Sequence, residues 1–387
     1  MLGSSHAPMI ESGRRPVRPR RPCELAAERG SRRGTNVETR VPCASTVTQP
    51  IHLLDLPHHE ARALIAESDA PVFLAINPVE FHGPHLSLHN DRLITAGLSR
   101  DLHRALAGDR RDYPYLVVDE LEVGVEPASG PGSRHTRFRD AERIVVEACR
   151  ALTELGAKKA VLNTFHGGAL HNLAIDAGVR FFEQAGGHAF APLAVALHMM
   201  VDFRSEELEE ALSYLGGTEE ERAFVRRNLQ FDFHAGWLET SLALHYAPES
   251  VSPIHRELPP SPELGRDRTM SALHRVARAL GAQRAAVELD FIATAASWTK
   301  LRPFPGYTGM PHLATPEAGA SIARRFVAKY AEAAGPVLAG RAPATRPPFR
   351  WMPIATLGGR LDPTLVPTEH VTAEVTSARG RGTTART

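Results

Sequence analysis

The sequence predicts an α/β protein in which a mainly parallel sheet carries helices on both faces. Three observations support this: short apolar runs bounded by turn residues, amphipathic helical patterns between them, and a regular alternation of the two through the middle of the chain. Pro71 to Ile76 is a continuous apolar run too short for a helix and reads as a buried strand. Asp91 to Leu106 follows as a helix with Leu93, Ile94, Leu98 and Leu102 on one face. Leu116 to Val118 is the next strand. Asp140 to Leu155 is a second amphipathic helix, with Ile144, Val145, Ala148 and Leu152 at helical spacing, and it leads through Gly156 into the strand Lys159 to Asn163. Parallel neighbours need such crossover helices, and ligands in these folds gather beyond the carboxyl ends of the strands. Glu206 to Arg227 reads as an exposed, charge-rich helical excursion broken at Gly216 and Gly217, an insertion or lid over about 205–230. Ser271 to Leu280 and Pro316 to Ala334 are later helices, the second closing the body.

The chain has 387 residues, enough for one large domain, placed at 49–345. Residues 1–48 hold nine arginines against four glutamates without hydrophobic periodicity and read as a disordered basic leader. Such a leader fits an upstream start, a transit peptide or an interaction arm, and its glutamates argue against the transit peptide. Residues 346–387 read as an extension that is mostly tail. With 45 basic and 44 acidic residues, the balance points to small molecules or copies of the chain itself as partners, not to nucleic acid or a membrane. Of three cysteines, Cys23 and Cys43 fall in the leader and Cys149 in the body, which excludes a disulfide framework and fits a reducing cytoplasm.

The chemistry concentrates in three segments. In Asn77-Pro-Val-Glu-Phe-His-Gly-Pro-His-Leu-Ser-Leu-His-Asn-Asp91, Glu80 and His82 stand two residues apart, so extended backbone projects both to one side. Asp91 opens the next helix, where a carboxylate also serves as a cap. His85 and His89 add to a density of ligand types that a solvated face rarely shows. Phe165-His-Gly-Gly-Ala-Leu-His171 follows the third strand and offers His166 beside glycines that allow close backbone approach. Asp232-Phe-His-Ala-Gly-Trp-Leu-Glu-Thr-Ser241 holds His234 and Glu239 at a loop-to-helix junction, where one could ligate metal and the other move protons. A core histidine and a first-turn carboxylate are the structural alternatives.

These motifs, in order and followed by Gly306-x-x-Gly309-x-Pro311-x-x-Ala314-Thr, resemble the creatininase family over about residues 71–320. The resemblance implies a three-layer α/β/α sandwich, a hexameric habit and a binuclear metal site. It implies that Glu80, Asp91 and His166 hold one metal, that His82 holds a second with Asp91 bridging, and that His234 is the acid/base group. The family's glutamate two residues after the His166 position is Gly168 here, so Glu239 becomes the candidate to complete the second metal, and creatinine itself is put in doubt. The family's Phe-Pro-Gly-Thr loop corresponds to Gly130-Pro-Gly-Ser133, which makes Ser133 a candidate substrate contact, and its Glu-His pair becomes Glu126-Pro127, with His135 nearby.

The expected reaction is hydrolysis of a C–N bond in a small amide, lactam, formamide or peptide-like substrate by metal-activated water. Its ions, two per subunit, would be Zn, Mn or Fe, all suited to a His/carboxylate set. Trp237 and Tyr307 are candidates for an aromatic substrate wall or for the core. Arg134, Arg137 and Arg139 suit an anion or a solvated face. A ring-opening or C–C hydrolase on the same scaffold, and a non-catalytic oligomeric binding protein, are the competing readings. No Gly-x-Ser-x-Gly elbow, P-loop or Gly-x-Gly-x-x-Gly turn is present to support serine or nucleotide chemistry.

Overall fold

The apolar runs assemble into one sheet in the computed structural model, which describes residues 49–110 and 112–361. The basic leader (1–48) and the end of the expected tail (362–387) lie outside the described residues. The strands are β1 (Pro50–His52), β2 (Val72–Asn77), β3 (Tyr115–Val117), β4 (Leu121–Glu122), β5 (Lys159–Asn163) and β6 (His188–Phe190). Their order is β1-β3-β2-β5-β6, and β4 pairs with the carboxyl end of β2. All of these pairings are parallel. β2 is apolar along its length because it lies at the centre of the sheet with both faces covered.

The helices α1 (His58–Glu67), α2 (Asn90–Ala107), α3 (Phe138–Leu155) and α4 (Ala169–Gln184) make the crossovers. They are followed by α5 (Leu193–Val201), α6 (Glu209–Leu212), α7 (Glu219–Asn228), α8 (Trp237–Tyr246), α9 (Arg268–Ala279), α10 (Gln283–Trp298), α11 (Pro316–Leu338) and α12 (Met352–Ala355). The steps β1 to β2, β3 to β5 and β5 to β6 run one way along the sheet, and β2 to β3 runs the other. Right-handed crossovers therefore set α1, α3 and α4 over one face and α2 over the opposite one. α3 packs on α4, whereas α2 packs with α8 and α11, completing the α/β/α sandwich. α2 and α8 come close because Gly97 has no side chain: a Cβ there would stand 2.3 Å from a ring carbon of Tyr246. This approach brings the start of α8 to the start of α2, above the carboxyl ends of β2 and β5.

Two parts beyond the sheet and its crossovers bear on the core. The 205–230 segment is helical, but Leu208, Ala211, Leu212, Val225 and Leu229 are buried in the main core. Glu207 and Glu210 pair with Arg325 and Arg324 of α11. The segment's charged face is exposed, while its apolar face is buried and its first part packs on α11. Residues 346–361, the start of the C-terminal extension, pack on the body: Arg346 Nη1 bonds Asp176 at 3.0 Å, Phe349 and Met352 are buried, and the Trp351 indole donates to Glu288 at 2.9 Å.

Candidate metal centre

β2 ends at Asn77, which ties the rim of the sheet together. Its Oδ1 accepts from Thr95 of α2 at 2.9 Å and from Phe165 N, just past β5, at 3.3 Å, while its Nδ2 donates to Glu120 at 2.8 Å. The chain beyond it forms a loop closed by the Glu80 N–H bond to Leu88 O at 3.0 Å, and this loop carries Glu80 and His82. His166 stands on the loop after β5. His234 precedes α8, and Glu239 lies in its first turn. Asp91 is in the first turn of α2, but its carboxylate caps nothing: both oxygens are buried without a hydrogen-bond partner.

These six side chains converge, each between 1% and 7% exposed. His166 Nδ1 lies 2.8 Å from Glu80 Oε2 and 3.8 Å from Asp91 Oδ2. His82 Nε2 lies 3.2 Å from Glu239 Oε1 and 3.5 Å from Asp91 Oδ1. His234 Nδ1 is 3.9 Å from Glu80 Oε1. Their ligand atoms form three close groups: Glu80, Asp91 and His166; His82, Asp91 and Glu239; and Glu80, His82 and His234.

The far nitrogen of each histidine is spoken for. His82 Nδ1 donates to Glu80 O at 3.0 Å, His166 Nε2 to Val125 O at 2.8 Å, and His234 Nε2 to Phe81 O at 2.9 Å. A carbonyl can only accept, so in the neutral ring each inward nitrogen presents a lone pair, the usual way a protein orients a histidine ligand. Glu239 is held as firmly, its Oε1 accepting from Asn90 Nδ2 at 2.8 Å and its Oε2 from Ala235 N. Gly168 explains its own identity, since a Cβ there would meet His166 Nε2 at 2.6 Å and Val125 O at 2.9 Å.

The electrostatics show a site short of positive charge. Burial disfavours ionised Glu80, yet His166 and His234 hold its carboxyl well below the usual range. Burial pushes Asp91 up to about 7. Burial opposes charge on His82 and His166, but Glu239 and Asp91 raise the first well above its ordinary value, and Glu80 raises the second to about 9. His234 is lowered by burial, despite the attraction of Glu80. Desolvating a carboxylate costs several kcal/mol unless a counter-charge is close, and here three share one pocket. The orphaned inward atoms, Glu80 Oε2, His82 Nε2 and both Asp91 oxygens, are the ones a cation would satisfy. The donor set, histidine nitrogen with carboxylate oxygen, suits a divalent transition metal.

Other residues read from the sequence sit elsewhere. Ser133 is a backbone staple, its Oγ accepting from Phe81 N at 2.9 Å and donating to Ala128 O at 2.6 Å. Trp237 is fully buried in the core, and the Tyr307 hydroxyl donates to Pro259 O at 3.0 Å. Neither lines the cavity beside the cluster. His85 is buried with Nε2 2.9 Å from Thr240 Oγ1, His89 is half-buried, and His135 is exposed. Asn77, Asn90 and Asp232 were not singled out from the sequence. Asp232 lines the cavity, and burial raises its carboxyl to about 7.

Residues 55–334 match the family model for creatininase, described as creatinine amidohydrolase. The chain belongs to the creatininase family. Membership in the creatininases supports a metal-dependent, amidohydrolase-like function. A provisionally assigned creatinine amidohydrolase from Bacteroides fragilis NCTC 9343 shares the fold at a TM-score of 0.50 and 18% identity, covering 76% of this chain and 98% of that one. A structure named Creatininase Mn aligns at 0.47 and 20% identity, covering 74% and 97%. A tryptophan-to-phenylalanine mutant creatininase, type II, aligns at 0.48 and 19%, also covering 74% and 97%. No curated protein matches the chain. Among the described residues, no helix is long and apolar enough to cross a membrane.

Proposed function

We propose that the protein hydrolyses a C–N bond in a small amide, lactam or formamide with two divalent metal ions per subunit. The observation that carries this reading is the pair of ligand groups sharing Asp91: Glu80, Asp91 and His166 for one ion, and His82, Asp91 and Glu239 for the other. Charge supports two ions. The three carboxylates leave one negative charge with a single divalent ion and one positive charge with two, and the second balance favours an anionic nucleophile. Solved creatininases described as a manganese form and as a Zn–Zn type suit the same donor chemistry. Bound there, the ions supply Lewis acidity, lowering the pKa of a water and polarising the scissile carbonyl.

The chain's own groups do the rest. His234 is neutral and fixed through Nε2, so Nδ1 is the atom that moves a proton: it takes one from the attacking water and delivers it to the departing nitrogen as the C–N bond breaks. Asn90 and the Ala235 N–H keep Glu239 turned toward His82. Asp91, held in the first turn of α2, fixes the distance between the two groups. A non-catalytic binding protein would have no use for orphaned carboxylate oxygens in a buried cluster, whose desolvation costs stability. The same reading makes the enzyme a cytoplasmic homo-oligomer acting on small molecules.

The test is turnover on a panel of small amides, lactams and formamides by Zn-, Mn- or Fe-loaded protein, before and after chelation. The reading requires C–N cleavage that disappears with the metal and returns with it. Cleavage that survives chelation contradicts it.

A further inference from the structure

The cavity beside the metal centre has two unlike sides. One is the cluster of carboxylates and histidines. The other is hydrocarbon: Leu193, Ala196 and Leu197 of α5, with Leu238 and Phe326 from α8 and α11. Phe165, Met200 and Phe233 are half-buried and stand toward solvent, so the wall deepens from them to the buried Leu197. Among the described residues lining it there is no lysine or arginine. Beyond the cluster, the charge-bearing side chain is Asp232, whose Oδ1 has no hydrogen-bond partner and whose Oδ2 accepts from Trp237 N at 3.0 Å. A negatively charged substituent would therefore face hydrocarbon or another carboxylate, with nothing to offset its desolvation.

Size is bounded as well. The cavity is narrow, about 50 Å³. Leu197 and Met200 lie three residues apart, on one side of α5. The carboxyl end of that helix is held by Gln230, whose Nε2 donates to Met200 O at 3.2 Å and to Val201 O at 3.3 Å. The wall is thus fixed in place. Leu197 lines it as a buried side chain and Met200 as a half-buried, flexible thioether.

Resting on the hydrolase reading above, we infer that the substrate is a compact amide whose side group is apolar and carries no negative charge, with Leu197 and Met200 setting its length. The wall then selects by hydrophobic burial, and with the cluster's carboxylates engaged by metal, Asp232 and the absence of a lysine or arginine disfavour an acid.

The test uses the zinc-loaded full-length protein and isothermal calorimetry with aceto-, propiono-, butyro- and hexanohydroxamate, whose head groups ligate divalent ions, and with the carboxylate-ended succinic monohydroxamate. Affinity should rise about fourfold per added methylene up to butyrohydroxamate. The succinic probe should bind at least about tenfold more weakly than butyrohydroxamate. Leu197→Phe should abolish the gain with chain length while metal content stays unchanged, and Met200→Ala should extend the gain to hexanohydroxamate. A flat response to chain length, or tightest binding by the succinic probe, overturns the inference and leaves the hydrolase reading standing. Failure of acetohydroxamate to bind metal-loaded protein overturns both.

Discussion

His82 and His234 stack with ring centroids 4.5 Å apart, hung from the successive carbonyls of Glu80 and Phe81 by opposite ring nitrogens. The two imidazoles are alike in burial but not in company. His82 Nε2 faces Asp91 and Glu239, whereas the nearest carboxylate to His234 Nδ1 is Glu80, at 3.9 Å. On the proposed reading, His82 is a ligand and His234 moves a proton.

His234→Ala should therefore keep its metal and lose about 10²–10⁴-fold in kcat, the range for removing a positioned acid/base. Elemental analysis with turnover measures both. Loss of the metal in this variant would make His234 a ligand instead.

Asp91→Ala should lose metal and activity together, because Asp91 belongs to both ligand groups. Retention of either ion, read by elemental mass spectrometry, would show that the groups do not depend on a shared carboxylate.

Gly168→Ala tests the geometry of the first ion's ligands. A methyl there would stand 2.6 Å from His166 Nε2, so the ring must shift and its bond to Val125 O must break. Affinity for the ion held by Glu80, Asp91 and His166 should fall about 10–100-fold, as when a ligand's outer support is lost. Circular dichroism should be unchanged.

Metal binding should release protons. Without metal, Asp91 is pushed up to about 7 by burial, and Glu80 raises His166 to about 9 although burial opposes it. Both groups hold protons below these values, and a divalent ion must displace them. Affinity should thus rise with pH between about 6 and 9, and calorimetric heats at about pH 6.5 should depend on the ionisation enthalpy of the buffer. Heats independent of buffer would contradict these protonation states.

The parts legible in the sequence were those written locally. The βαβ rhythm, with Pro71–Ile76 against β2 and Lys159–Asn163 against β5, is a matter of hydrophobic period, and Glu80, His82 and Asp91 lie within a dozen residues of one another. What escaped depends on distant pieces meeting. Val125 as the anchor of His166, Asn90 as that of Glu239, and the wall that α5 makes with Phe326 exist only once the helices are packed. Adjacency to a motif also differs from proximity to the cluster. Trp237 is two residues before Glu239, but at about 100° per helical residue it points to the other side of α8, into the core. Ser133 was read toward substrate, yet the turn at Gly130 spends its hydroxyl on Phe81 and Ala128.

On the proposed reading, Glu239 completes the second ligand group of a two-ion site. Elemental mass spectrometry on protein purified without added metal tests it most directly, in wild type and in Glu239→Gln. The account predicts about two equivalents per subunit falling to about one. Two equivalents retained in Glu239→Gln, or no metal above background in wild type even after reconstitution, would contradict it.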